Sequence, residues 1–277
     1  MKNISRSTAG ALLVFSLAFT ARAEIPEARS EVVSVDDVAW GYLNPARGDK
    51  GPRAADLWGD RTKNTAAGIL LQFPEGFSSP PHIHNITYRG VVIQGELHND
   101  DPEAEIMWLP AGSFWTQPAG EAHVTAANGK SNIAYIEINS GPYLVQPTER
   151  AFDNGERPMN VDPSHIVWQD SFSQDDNNMY DVRVAYLWGD PAEGNLRGTM
   201  LKLPGGFKGK IRTSAAEFKA IVIEGDIDYK NQQSIKKLKP GSYFGSTEDV
   251  VHEIAVNPGQ ASILYIRSDD TYGLLTD

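Results

Sequence analysis

Cysteine is absent from the 277 residues. That excludes disulfides, thiolate metal sites and a cysteine nucleophile, and leaves packed cores to supply stability. Long apolar runs are scarce as well. The one near the N-terminus, Ala9 to Phe19, is too short to cross ~30 Å of hydrocarbon, which takes roughly 20 helical residues. Clustered basic residues are missing: 25 Lys and Arg against 36 Asp and Glu give a formal charge of −11. Nucleic-acid backbones are bound through Lys/Arg clusters, so no nucleic-acid partner is expected. No stretch sustains a 3.6-residue apolar period over three turns, so helices should be few. A G-x-S-x-G elbow, a P-loop and a dinucleotide fingerprint are all lacking, which leaves those hydrolase, NTPase and dehydrogenase chemistries without their motifs.

The first residues, MKNISRSTAGALLVFSLAFTARAE, have the three parts of a secretory signal. Lys2 and Arg6 form a positive region, Ala9 to Phe19 an apolar core, and Ala21-Arg22-Ala23 a small-residue cleavage site. Residues 1–23 are therefore expected to be a signal peptide cleaved near Ala23, giving a periplasmic or secreted protein. Cleavage would remove Lys2, Arg6 and Arg22 and no acid, moving the charge from −11 to −14. The mature chain would have no membrane span, and its length suits two small domains or one large one.

Beyond a polar, extended lead-in from Glu24 to Asp37, short runs rich in Val, Ile, Leu, Tyr and Trp alternate with Gly, Pro, Asn and Asp. AAGILLQF, YRGVVIQGEL, SNIAYIEI, KAIVIEGDID and ASILYIR are examples. Strand-length runs at regular spacing predict an all-β sandwich or barrel. The pattern also repeats. Leu57-Trp58-Gly59-Asp60 returns as Leu187-Trp188-Gly189-Asp190, and Val91 to Gly95 as Ile221 to Gly225, both 130 positions on. Pro110-Ala111-Gly112-Ser113-Phe114 answers to Lys239-Pro240-Gly241-Ser242-Tyr243 at an offset of 129, which aligns His123 with His252. The chain is a tandem duplication with its joint near Thr148 to Pro163.

The stretch from Gly76 to Asn128 holds the candidate chemistry. His82 and His84 sit two apart, and residues i and i+2 of a strand share a face. His123 follows the turn Pro118-Ala119-Gly120 and could complete a three-nitrogen metal site. Neutral imidazoles suit Fe or Zn first, with Mn, Ni and Cu also compatible, over Ca and Mg, which prefer oxygen. Gln72, Glu96, Trp115 and Gln117 are further candidates for the site mouth, whereas His98, after the Gly95 turn, is expected to be exposed.

These residues resemble the cupin superfamily. Its first motif is matched by Gly76, His82-Ile83-His84 and Gly95, and its second by Gly112, Pro118-Ala119-Gly120, His123 and Asn128. The resemblance covers both halves and implies two tandem double-stranded β-helix (cupin jelly roll) barrels, a bicupin. Residues 24–150 would form a metal-binding cupin domain. Residues 151–277 would form a degenerate one without the His-x-His ligands, because at an offset of 130 His82 becomes Arg212 and His84 becomes Ser214. Only His252 survives there, with Glu217 or Glu248 as conceivable helpers. Tyr88 stands where the motif has Glu, leaving a three-histidine site of the kind found in carbon–carbon-cleaving and thiol dioxygenases and in zinc-binding cupins. Tyr88 is a candidate catalytic group, through a hydrogen bond to a metal-bound anion or as a phenolate ligand; its bland role is an aromatic wall. The expected function is a dioxygenase-type oxidoreductase with one mononuclear metal, acting on a small bidentate anionic substrate. The alternatives are a non-catalytic zinc- or small-ligand-binding cupin, or a metal-dependent sugar isomerase or epimerase. Monomer and homodimer are both compatible with the sequence.

Overall fold

The structure, a computed structural model, describes residues 29–170, 180–192, 194–230 and 234–276. The candidate signal peptide lies outside the described residues. The architecture is all-β, and the helical segments among the described residues are short 3-10 turns.

Two seven-stranded sheets dominate. In the first, the strand order is Met159–Val161, Phe114–Gln117, Tyr88–Gln94, Asn132–Ile138, Ala67–Phe73, Arg53–Gly59 and Gly41–Tyr42. The second repeats it with Arg29–Val33, Tyr243–Thr247, Phe218–Glu224, Ser262–Ser268, Arg197–Leu203, Arg183–Gly189 and Gln169–Asp170. Smaller antiparallel sheets close each half into a barrel. In the first half they are Val124–Ala127, Glu96–Asp100 and Leu109–Pro110, together with the pair Val145–Gln146 and Ile83–His84.

Three apolar clusters explain why the central strands read as nearly unbroken hydrophobic runs. One fills the first barrel and one the second, while the third lies between the two large sheets. Along Asn132–Ile138, Ala134, Ile136 and Ile138 face their own barrel, and Tyr135 faces the other half. A sheet buried on both faces has no polar side, so strict alternation is lost.

The lead-in and the joint form strands that cross over. Arg29–Val33 pairs antiparallel with Tyr243–Thr247 of the second half. Met159–Val161 pairs in the same sense with Phe114–Gln117 of the first. Each of these outer strands leads into a 3-10 turn, Val35–Asp37 or Pro163–His165, capped by the preceding Ser34 or Asp162 side chain. The charged, turn-rich stretch 148–163 is therefore partly sheet. Its short run of only three paired residues gave no periodic signal.

The two copies differ in register where the three histidines sit. In the first, Ser78 pairs with Ala126 and His82 with His123. In the second, Lys208 pairs with Ala255 and Ile211 with His252. The first copy thus carries one extra residue within Ser79–Pro81, and the structural counterpart of His82 is Ile211 rather than Arg212. Arg212 is exposed and pairs with Asp249 at 3.1 Å.

Candidate metal centre

His82, His84 and His123 meet at the floor of the first barrel. His82 and His123 are bound directly across from one another: the His82 N–H donates to the His123 carbonyl at 3.1 Å, and the His123 N–H to the His82 carbonyl at 3.0 Å. Residues directly opposite in an antiparallel pair put their side chains on one face, and the two rings lie with centroids 4.3 Å apart. His84 lies in a strand pair opposite Val145. Its carbonyl accepts from the Gly120 N–H at 2.8 Å, tying the Pro118–Gly120 turn to the same spot. Gly120 has φ +79°, and a Cβ there would meet the Phe152 carbonyl oxygen at 2.4 Å, so this turn requires glycine.

One candidate ligand nitrogen from each ring lies within 4.8 Å of the others. Each Nδ1 contacts a main-chain carbonyl: His82 to Pro80 at 3.0 Å, His84 to Leu144 at 3.0 Å and His123 to Glu121 at 3.1 Å. A carbonyl can only accept, so each ring carries its proton on Nδ1 and keeps the Nε2 lone pair free. This is the arrangement that orients imidazoles for a metal ion. Burial holds His84 well below the ordinary histidine range, and the nearby His123 and His82 would repel any charge on it. Burial, then the neighbouring His82, lowers His123 to about 3. Burial also lowers His82. Three neutral rings with free Nε2 atoms form a donor set that fits a divalent transition metal.

Two tyrosines flank the rings. The Tyr88 hydroxyl lies 3.4 Å from His123 Nε2 and donates to Asn99 Oδ1 at 2.9 Å. The Tyr143 hydroxyl lies 3.2 Å from His84 Nε2, and its ring stacks on His84 with centroids 4.3 Å apart. Burial raises both phenol pKa values, which disfavours phenolate at either position. Asn99 is itself held by Thr125 Oγ1 at 2.7 Å and donates to Gln117 Oε1 at 2.8 Å.

A cavity of about 320 Å³ opens above His82 and His84. Phe73, Phe77, Leu71, Ile136 and Trp115 supply much of its wall, and Arg47 stands at its rim. No Asp or Glu lines it. Of the residues suggested by sequence for the mouth, Trp115 lines the cavity and Gln117 supports Asn99 from behind. Gln72 and Glu96 are not in its wall. His98 is buried rather than exposed, with Nδ1 3.3 Å from the Met107 carbonyl, and it stands apart from the histidine cluster. Burial of His98 follows from the strand cover that a turn residue alone does not reveal. Tyr143 and Asn99 were not singled out. Asn99 shares a strand face with Leu97 by alternation, which could have found it; Tyr143 lies in GPYLV, an aperiodic connection with no such signal.

The second barrel fills the equivalent space with rings. Phe218, the counterpart of Tyr88, stacks on His252 with centroids 5.2 Å apart, and Phe244 and Tyr229 pack around it. Both His252 nitrogens are engaged, Nδ1 with the Tyr229 hydroxyl at 2.9 Å and Nε2 with Ser246 Oγ at 3.0 Å. Glu217 is drawn away to Arg267 at 2.5 Å. Among the described residues the three-histidine cluster of the first half is the group with metal-ligand geometry.

Two barrels built from duplicated double-stranded β-helices, one holding a His-x-His pair and a third histidine, give the chain a bicupin fold. The chain belongs to the family described as a domain of unknown function, DUF4437, whose model matches residues 31–275. A comparison with curated proteins finds no match. Among solved structures, a candidate dioxygenase from Nostoc punctiforme is similar with TM-score 0.67 and 13% identity, over 90% of this chain and 87% of that one. A variant of Bacillus subtilis oxalate decarboxylase gives TM-score 0.53 and 12% identity, over 88% and 78%. A variant of salicylate 1,2-dioxygenase from Pseudoaminobacter salicylatoxidans gives TM-score 0.53 and 16% identity, over 82% and 78%. At these identities the likeness is one of fold.

Proposed function

We propose that this protein is an exported bicupin, released by cleavage near Ala23, with domains at 24–150 and 151–277. In this reading His82, His84 and His123 hold one divalent metal, and the first barrel is a dioxygenase-type oxidoreductase acting on a small bidentate anion. One observation carries the proposal: three neutral imidazoles converge beneath a cavity that contains no carboxylate. An all-neutral ligand set leaves a bound cation its full charge, which favours an anionic partner. Dioxygenases among the structural neighbours support the reaction class.

Iron in this site would supply a Lewis acid and a one-electron redox couple. The chain does the rest. Main-chain carbonyls of Pro80, Leu144 and Glu121 fix the three ring orientations. The Tyr143 hydroxyl, protonated at neutral pH, would be released to donate to a substrate oxygen once His84 Nε2 holds the metal, while the Tyr88 proton is committed to Asn99. Arg47 adds positive charge at the rim of an otherwise acidic molecule and so favours anion entry. The apolar wall keeps bulk water from the reacting atoms.

Oxygen consumption by the iron-loaded protein, supplied with enolisable diketones and hydroxy acids, tests the reading. Substrate-dependent uptake that disappears in His123→Ala is expected. Stoichiometric zinc with no oxygen uptake under any of these conditions would instead support a non-catalytic zinc-binding module.

A further inference from the structure

The polar atoms of the cavity wall are mostly turned toward one another. Ser79 Oγ accepts from the Thr125 N–H at 3.0 Å and lies 3.3 Å from His82 Nδ1. Thr125 Oγ1 and the Tyr88 hydroxyl both donate to Asn99 Oδ1, and the Asn99 amide donates to Gln117 Oε1. A ligand bearing several hydroxyls would lose its water partners on entry and find few replacements, and unpaired buried polar groups are costly. Carbon surface suffers no such loss here, because Leu71, Phe73, Phe77 and Ile136 present apolar walls.

Few donors of this wall face the open space. The Trp115 side chain is 3% exposed, and its indole N–H is buried against the Tyr88 hydroxyl rather than open to the cavity. Its ring meets the Tyr88 ring edge-on, with centroids 6.4 Å apart. A ligand's oxygens would therefore be met at the imidazoles, where the Tyr143 hydroxyl lies 3.2 Å from His84 Nε2, and by the Arg47 guanidinium at the rim. The wall around Phe73 and Phe77 is hydrocarbon. Volume sets an upper bound, since about 320 Å³ is at the small end for ligand pockets and suits one compact molecule.

We propose that the cavity selects a monoanion with an apolar body, an aryl or short alkyl carboxylate or enolate, its oxygens at the histidine end and its carbon skeleton against Phe73 and Phe77. This rests on the metal-centre reading for the anionic head, and on the wall alone for the body. It disfavours polyhydroxylated sugar acids and small dianions that are polar throughout. The reading thereby narrows the substrate class within the proposed activity.

Calorimetric titration of the purified metalloprotein with benzoate, hexanoate, oxalate and gluconate tests this. Benzoate and hexanoate are expected to bind at least tenfold more tightly than oxalate or gluconate. In Phe77→Ser that margin should shrink severalfold, with the thermal midpoint recorded to confirm folding. Should Phe77→Ser fail to fold, the wild-type ligand series decides by itself. Oxalate or gluconate binding as tightly as benzoate would overturn the proposal, whatever the metal content. A preference for benzoate that is equal in wild type and in a metal-free His82→Ala variant would uphold the apolar selection and contradict the metal-centre reading. The two failures are thus distinguishable.

Discussion

Glu137 and Arg267 occupy the same position in the two copies, 130 residues apart, and form an ion pair at 3.4 Å with side chains 1% and 2% exposed. Equivalent sites in a duplicated chain carry opposite charges and meet where the halves pack. Around them the repeated residues form a matched set. The Trp58 indole donates to the Tyr135 hydroxyl, which donates to Glu137 Oε2; the Trp188 indole donates to the Tyr265 hydroxyl, which donates to Glu137 Oε1. Arg89 lies over Trp188, and Lys219, its counterpart, over Trp58. The recurrent Leu-Trp-Gly-Asp thus serves the seam between barrels. A self-pairing surface with one residue type at both positions could not make this bridge, so the two copies are specialised for each other.

Removing one charge from this seam should cost far more than removing both. Arg267→Met leaves Glu137 buried with only tyrosine donors, and a loss of about 3–5 kcal/mol is expected. The double variant Glu137→Leu with Arg267→Met should be markedly less destabilised than the sum of the single variants. Urea unfolding followed by tryptophan fluorescence measures this; additive losses would show that the pair is not coupled.

Close packing at the seam also fixes Gly68. A Cβ there would meet Trp58 Nε1 at 2.0 Å and the Tyr135 hydroxyl at 2.7 Å. Gly68→Ala should therefore lower stability by roughly 1–3 kcal/mol, the usual cost of overpacking. A midpoint of denaturation equal to wild type would contradict the geometry.

His252 gives the second barrel an acid sensitivity. Burial lowers its pKa to about 4, against about 6.5 for an unfolded histidine. A group that folding depresses contributes stability that is fully present above pH 6.5 and lost as the pH falls from 6.5 toward 4. The loss is on the order of 3 kcal/mol at about 1.4 kcal/mol per pKa unit. Comparing metal-free wild type with His252→Gln between pH 7 and pH 4 should show a shallower decline in the variant. Equal slopes would mean that His252 does not titrate as its burial requires.

Tyr143 separates holding a metal from using it. Its hydroxyl reaches His84 Nε2 and its ring stacks there, yet the His84 proton is fixed by the Leu144 carbonyl. Tyr143→Phe should keep near-normal metal content while lowering oxygen uptake about 10-fold or more, the scale expected when a supporting contact is lost. Loss of the metal itself in Tyr143→Phe would reassign it to the binding set.

Much of this was readable from residues. The duplication followed from Trp58/Trp188 and from Val91–Gly95 matching Ile221–Gly225, and the histidine convergence from two-residue spacing plus the Pro118–Gly120 turn. The exchanged strands Arg29–Val33 and Met159–Val161 were not, because an outer strand paired on one edge needs no apolar alternation. The equivalence of His82 with Ile211 was also hidden. A single extra residue in Ser79–Pro81 leaves no compositional trace and emerges only from strand register. Tyr143 escaped for a related reason: its connection has no period from which to infer a face.

Elemental analysis of the protein purified from its native compartment, alongside His82→Ala and His123→Ala, tests the metal centre most directly. About one transition-metal ion per chain in wild type is expected, falling to near zero in either variant while the far-ultraviolet circular dichroism stays that of a folded β protein. A wild-type chain without transition metal, or variants that retain it at full stoichiometry, would contradict a metal held by His82, His84 and His123.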